Sequence, residues 1–162
     1  MEISNLLKIQ KENDEKLKID QSLTDYKILA RKYLHLHISI SELANETQCY
    51  KYWTNDGDYT PDKDTIFIKY IACLKKILSL SFDHNDNNTV EEVMMQPSEY
   101  CLSDQFLNLY IDINDLFVSP SKDHFLTLME DFLSLGISLG YSESTIIDGF
   151  YNYDNMKVGA VS

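Results

Sequence analysis

Glycine and proline are scarce in this chain, which has five of one and three of the other. A many-turned β-sandwich or barrel needs both residues at its turns. The apolar residues recur at steps of three and four rather than two, the period of a helix face. Together these features predict an all-α fold, a helical bundle in which each helix buries one stripe. A first helix is expected from Ile3, Leu6, Leu7, Ile9 and Gln10 on to Leu17. A longer one should run from about Asp25 through Trp53, capped by Ser22 or Thr24, with Ile28, Leu29, Tyr33, Leu36, Ile40, Leu43 and Ala44 turned inward. Thr54 to Lys63 collects Asn-Asp-Gly and a proline and reads as a loop. The helix after it, Asp64 to Phe82, is apolar around most of its circumference, as the centre of a bundle is. Beyond the polar stretch DHNDNNTVEE, further helices are expected at Thr89 to Met95, Ser103 to Phe117, Ser121 to Leu139 and Ser142 to Tyr153, with Pro97, Pro120 and Gly140 at the interruptions. The organisation read from this is one domain over residues 1–155 and a small, mobile tail over 156–162.

Charge narrows the function classes. Fourteen Lys and Arg stand against 26 Asp and Glu, a formal net charge of −12, so a basic face for a nucleic-acid backbone is not expected. Arg31 is the sole arginine, which removes the bidentate fork that phosphate sites favour; a triphosphate pocket would need a metal or lysines instead. No apolar run reaches the roughly 18 to 20 residues that span a bilayer, and MEISNLLKIQKEND lacks the basic start and apolar centre of a signal peptide. No membrane contact and a cytoplasmic location are expected. Cys49, Cys73 and Cys101 match no C-x-x-C or zinc spacing and read as buried thiols without catalytic work.

The most informative segment is SELANETQCYKYW, Ser41 to Trp53, where Glu42, Asn45 and Glu46 precede an aromatic cluster with Lys51. With LLKIQKENDEKL near the start, YIACLKKILSL in the middle and LGYSESTIIDGFY towards the end, it resembles the all-α dimeric dUTPase family, related to the MazG-type nucleotide pyrophosphatases. The resemblance runs along nearly the whole chain. It implies hydrolysis of a nucleoside triphosphate between its α and β phosphates, for which Mg²⁺ neutralises oxygens and activates water. Mg²⁺ takes carboxylate oxygens in octahedral geometry. The family supplies them as E-x-x-E on one helix and E-x-x-D on the next, since residues three apart share a helix face.

This chain departs from that pattern at the decisive places. Matching SELANE to the family's GELANE leaves Glu42 in the first pair and puts Ser39 where its partner carboxylate belongs; matching KYIACL puts Lys69 and Ala72 on the second pair. Glu46 could add only an outer contact. The phosphate-binding arginine expected after GYSESTIIDGFY is missing from NYDNMKVGAV, where Lys157 is the sole substitute, while Lys51 and Trp53 match the stretch beside the base pocket. The reading is a catalytically degenerate dUTPase-like protein, without catalytic residues, metal or cofactor, in which the Lys69 ammonium occupies the lost metal's space and pairs with Glu42. Asn45, Glu46, Lys51 and Trp53 would complete a remnant pocket.

The resemblance also implies a homodimer, and phage dUTPases of this kind bind repressor proteins, so a protein partner in a regulatory, anti-repressor or anti-defence module is the natural role. The alternative is a Mg²⁺-dependent pyrophosphatase or nucleotide-binding protein with a rearranged metal site, its carboxylates drawn from Glu42, Glu46, Glu91, Glu92, Asp112 and Asp115. His35, Ser39, Glu42 and Glu46 share a helix stripe on which a His/Glu metal site can be drawn, while His35 and His37, two apart, point away from each other. His84 and His124 sit in polar segments with no evident partner. Tyr50, Tyr52 and Trp53 read either as a base-stacking platform or, more simply, as core. Met94, Met95, Phe106, Leu107 and Tyr110 are apolar enough to pack within one chain or between two. The acidic clusters Glu12 to Glu15 and Asp83 to Glu92 read as solvated faces, with mimicry of a nucleic acid as the sharper option.

Overall fold

The helix that is apolar all round is the axis of the molecule. In the computed structural model, which describes residues 1–54, 57, 59–83 and 90–161 (the last two by backbone alone), six helices follow one another. They are α1 (Ser4–Asp14), α2 (Asp25–Thr47), α3 (Lys63–Leu80), α4 (Leu102–Val118), α5 (Lys122–Ser138) and α6 (Glu143–Val161). The all-α expectation holds. Asp62 starts α3 by accepting the backbone N–H groups of Asp64 and Thr65, and the helix then buries Ile66, Tyr70, Ile71, Leu74, Ile77 and Leu78. α1, α2, α5 and α6 all pack on it, and α4 closes the bundle by lying against α2 and α5.

Two aromatic contacts fix the central crossings. The Tyr70 ring stacks on Phe132 at 4.4 Å between centroids and its hydroxyl donates to the Phe132 carbonyl at 3.0 Å, which ties α3 to α5. A side chain at Gly136 would run into the Tyr70 ring, so the absent Cβ is what allows this approach. Tyr33 of α2 meets Phe117 of α4 at 4.9 Å. Thr24, rather than Ser22, caps α2 by accepting from the Lys27 amide. Gly140, at φ +94°, turns the chain from α5 into α6 in a conformation that other residues avoid.

Several boundaries differ from those read in the sequence. α2 stops at Thr47, not Trp53, because Gln48 takes a left-handed conformation (φ 56°) and the aromatic residues after it lie outside the helix. α1 stops at Asp14, leaving Leu17 exposed. α6 continues past Tyr153 to Val161. The helix expected at Thr89 to Met95 does not form over its described part. Residues 90–95 are non-helical and pair with the chain start: Ile3 N–H donates to the Glu91 carbonyl, Val93 N–H to the Met1 carbonyl, and the Met1 amine to the Val93 carbonyl at 2.6 Å. Val90 and Val93 are buried while Glu91 and Glu92 face water, so strand-like pairing buries the valines and satisfies the backbone as well. Thr89 and His84 lie outside the described residues, as does most of the Asp83 to Glu92 cluster.

Candidate functional site

Three helices leave a groove between them. His35, Ser39 and Glu42 stand at steps of four and three on α2 and so share a face; Lys69, Ala72 and Lys76 do the same on α3; Tyr153 and Lys157, one turn apart, come from α6. With Ile68 they line a cavity of about 240 Å³. The Lys69 ammonium lies 3.9 Å from the Glu42 carboxylate across it. This pair is only partly buried, with the lysine side chain 30% and the glutamate 58% exposed.

The electrostatics of the groove are cationic. Lys69, Lys76 and Lys157 face it against Glu42, the single carboxylate among its described lining residues. Burial lowers the pKa of Lys76, Glu42 opposes that, and Lys157 adds to it. Burial, then Lys76, lowers the pKa of His35. Beside the groove, the Lys75 ammonium sits over the rings of Phe150 (4.6 Å) and Tyr153 (5.4 Å), which holds the Tyr153 turn of α6 against α3. Cys73, behind the groove, is buried and its thiol is pushed up to about 12 by that burial, so it is inert. Of the other two thiols expected to be buried, Cys49 is half-buried and Cys101 is exposed at the start of α4, where it bonds Ser103 instead of packing.

The remaining residues singled out in the sequence fall elsewhere. Asn45, Glu46, Lys51 and Trp53 gather at the C-terminal end of α2 and the turn beyond: Tyr50 bonds Asn45, Tyr59 donates to the Glu46 carbonyl at 2.7 Å, and Lys51 lies 5.3 Å from the Tyr59 ring centre. Trp53 meets Tyr50 and Tyr52, but all three are exposed, Tyr52 by 92%, so they are not core. His37 stacks on Tyr110 of α4, away from His35, and His124 bonds the Ser119 carbonyl at the turn between α4 and α5.

None of the carboxylates nominated for a rearranged metal site joins Glu42. Glu91 and Glu92 lie in the segment paired with the chain start, and Asp115 is exposed on α4. Asp112 is buried on α4 and faces Asp131 of α5. Its Oδ2 has no donor among the described residues, and its pKa is pushed up to about 8 by burial, by the hydrogen bond with Asp131 and by the charges of Asp131 and Asp115. Burial and the facing carboxylate favour the neutral form of Asp112. Among the described residues no three His, Cys, Asp or Glu side chains are arranged to hold a metal ion.

The sequence model of a family described as dUTPase matches residues 2–157. The chain belongs to that dUTPase family. No curated protein and no solved structure matches it. The fold is that of the all-α, MazG-like dUTPases, a family that is typically dimeric, and no helix here is long and apolar enough to cross a membrane. The Mg²⁺ implied by the dUTPase family does not fit this groove. Against the two opposed carboxylate pairs that the resemblance implies, the groove offers one hydroxyl and one carboxylate beside a methyl and an ammonium; a cation that gives up its hydration reluctantly finds too few oxygens and a positive charge in its way.

Sequence reasoning named Ser39, Glu42, Lys69, Ala72 and Lys157 but missed Lys76 and Tyr153 as groove residues. The signal for Lys76 was present: it follows Lys69 and Ala72 at steps of three and four, one helix face.

Proposed function

We propose that this chain is a dUTPase-family protein that has given up Mg²⁺-dependent hydrolysis and works by binding, in the cytoplasm and as a homodimer. The observation that supports this reading is the substitution of charge at the metal position: Lys69 stands 3.9 Å from Glu42, and Ser39 and Ala72 offer no carboxylate. Without the metal the groove holds no group that lowers the pKa of a water to make it the attacking nucleophile. A protein partner, in a regulatory, anti-repressor or anti-defence role, fits a family fold kept without its chemistry. Support for association comes from exposed Leu34 and Ile38 on α2 and Leu107 and Ile111 on α4, which flank the His37–Tyr110 stack.

The test is hydrolysis of dUTP and other nucleoside triphosphates with Mg²⁺, read as release of the monophosphate. The expected result is no release above a protein-free blank. Turnover that is abolished by Glu42→Gln would overturn the proposal.

A further inference from the structure

In a chain with net charge −12, one cavity collects three ammonium groups against one carboxylate. Glu42 is taken by Lys69, while neither Lys76 nor Lys157 makes an ion pair within 4 Å among the described residues. Lys76 is half-buried, so its charge is partly stripped of water, and Lys157 lies close enough to oppose its protonation. Three ammonium groups brought together in this way have one carboxylate between them, although acids are plentiful elsewhere on the chain. Lysine binds phosphate as a compact point charge, and three of them on facing helices suit an anion with several oxygens spread over two or three phosphorus centres. Tyr153 adds a phenol to the wall, and burial raises its pKa.

We infer that the groove lined by Lys69, Lys76 and Lys157 is a metal-independent binding site for an oligophosphate anion, with Lys69 at a position where the resemblance implies a metal-binding carboxylate. The inference rests on the reading that the groove does not organise Mg²⁺. It reverses the usual dependence: magnesium competes for the anion in solution instead of bridging it to the protein.

The experiment is calorimetric titration of the whole chain with sodium pyrophosphate in EDTA, repeated with excess Mg²⁺. Saturable binding in EDTA, weakened by Mg²⁺ and by added salt, is the expected result. Lys76→Gln and Lys157→Gln should each weaken it at least about tenfold, the size of one lost charge-assisted hydrogen bond, and Lys122→Gln, on the exposed start of α5, should leave it unchanged. A non-hydrolysable dUTP analogue separates the sources of the anion: tighter binding than pyrophosphate marks a nucleotide's phosphate tail, equal or weaker binding a free oligophosphate. No binding in EDTA, or equal binding by the Lys76 and Lys157 variants with unaltered melting curves, overturns the inference. If the same sample also fails to hydrolyse dUTP with Mg²⁺, the binding reading survives and only the anion site falls. Binding that requires Mg²⁺, accompanied by turnover, brings down both.

Discussion

In the groove, three ammonium groups share one carboxylate; between α4 and α5, Asp112 and Asp131 face each other with no cation paired to either among the described residues. Both places concentrate like charge, and they resolve it differently because their access to solvent differs. The groove is open, so its lysines keep much of their hydration and can take up an anion. Asp112 is 8% exposed, and burial beside a second carboxylate favours its neutral form. Like charge left open to water can be met by a counter-ion from solution, whereas like charge closed off from water favours the neutral form of a carboxyl.

The largest effect should come from inverting the groove. Ser39→Glu, Lys69→Glu and Ala72→Asp together restore four carboxylates on facing helices, and the chain should then hold about one equivalent of Mn²⁺ where the parent holds none in this groove, read from the loss of the free-ion electron paramagnetic resonance signal. The same variant should lose pyrophosphate binding in EDTA. If Mn²⁺ stays free with the fold intact, helix positions rather than side chains separate this chain from a metal-binding dUTPase.

The raised pKa of Asp112 predicts a pH dependence of stability. Asp112 moves from 3.8 to about 8 on folding, so the folded chain holds more protons than the unfolded one across that window. Its contribution to stability is therefore whole below 3.8 and is lost as pH rises through about 8. Asp112→Asn keeps the shape, removes the titration and can donate to Asp131. It should stabilise the chain by roughly 2–4 kcal/mol at the alkaline end of the window and flatten the difference in urea midpoint with pH. A difference between variant and parent that does not vary with pH would show that Asp112 is ionised throughout.

Sequence alone made the bundle legible where a local rule and the tertiary packing agree. The all-round apolarity of FIKYIACLKKILSL put α3 at the centre, and Pro120 and Gly140 marked the ends of α4 and α5. It failed where long-range pairing decides: Val90 to Met95 has the apolar content of a short helix, but the backbone of Met1 and Ile3 lies beside it and takes its hydrogen bonds. The end of α2 was missed because Gln48, not a glycine, adopts the left-handed turn. In the groove, facing residues on α2 and α3 could be paired through the family pattern, and Lys69 does stand opposite Glu42. Lys76 escaped because that pattern has no place for it, although helix periodicity does.

The smallest effect concerns that pair itself. A deeply buried ion pair that loses one partner costs about 3–5 kcal/mol, since the other charge is stranded. Here the two side chains are 30% and 58% exposed and 3.9 Å apart, so water solvates whichever remains and screens both. Lys69→Gln should therefore change unfolding stability by less than about 1 kcal/mol. Its effect on pyrophosphate binding should be larger, because the amide cannot replace an ammonium facing a polyanion. Stability is measured by urea denaturation and affinity by calorimetry on the same variant. A stability loss of several kcal/mol with unchanged affinity would make the pair a structural brace, and the cation count of the groove would then be two lysines with nothing to spare for Glu42. The opposite split, a small stability change with a large affinity loss, places Lys69 with Lys76 and Lys157 as part of one charged surface whose partner is a ligand and not the fold.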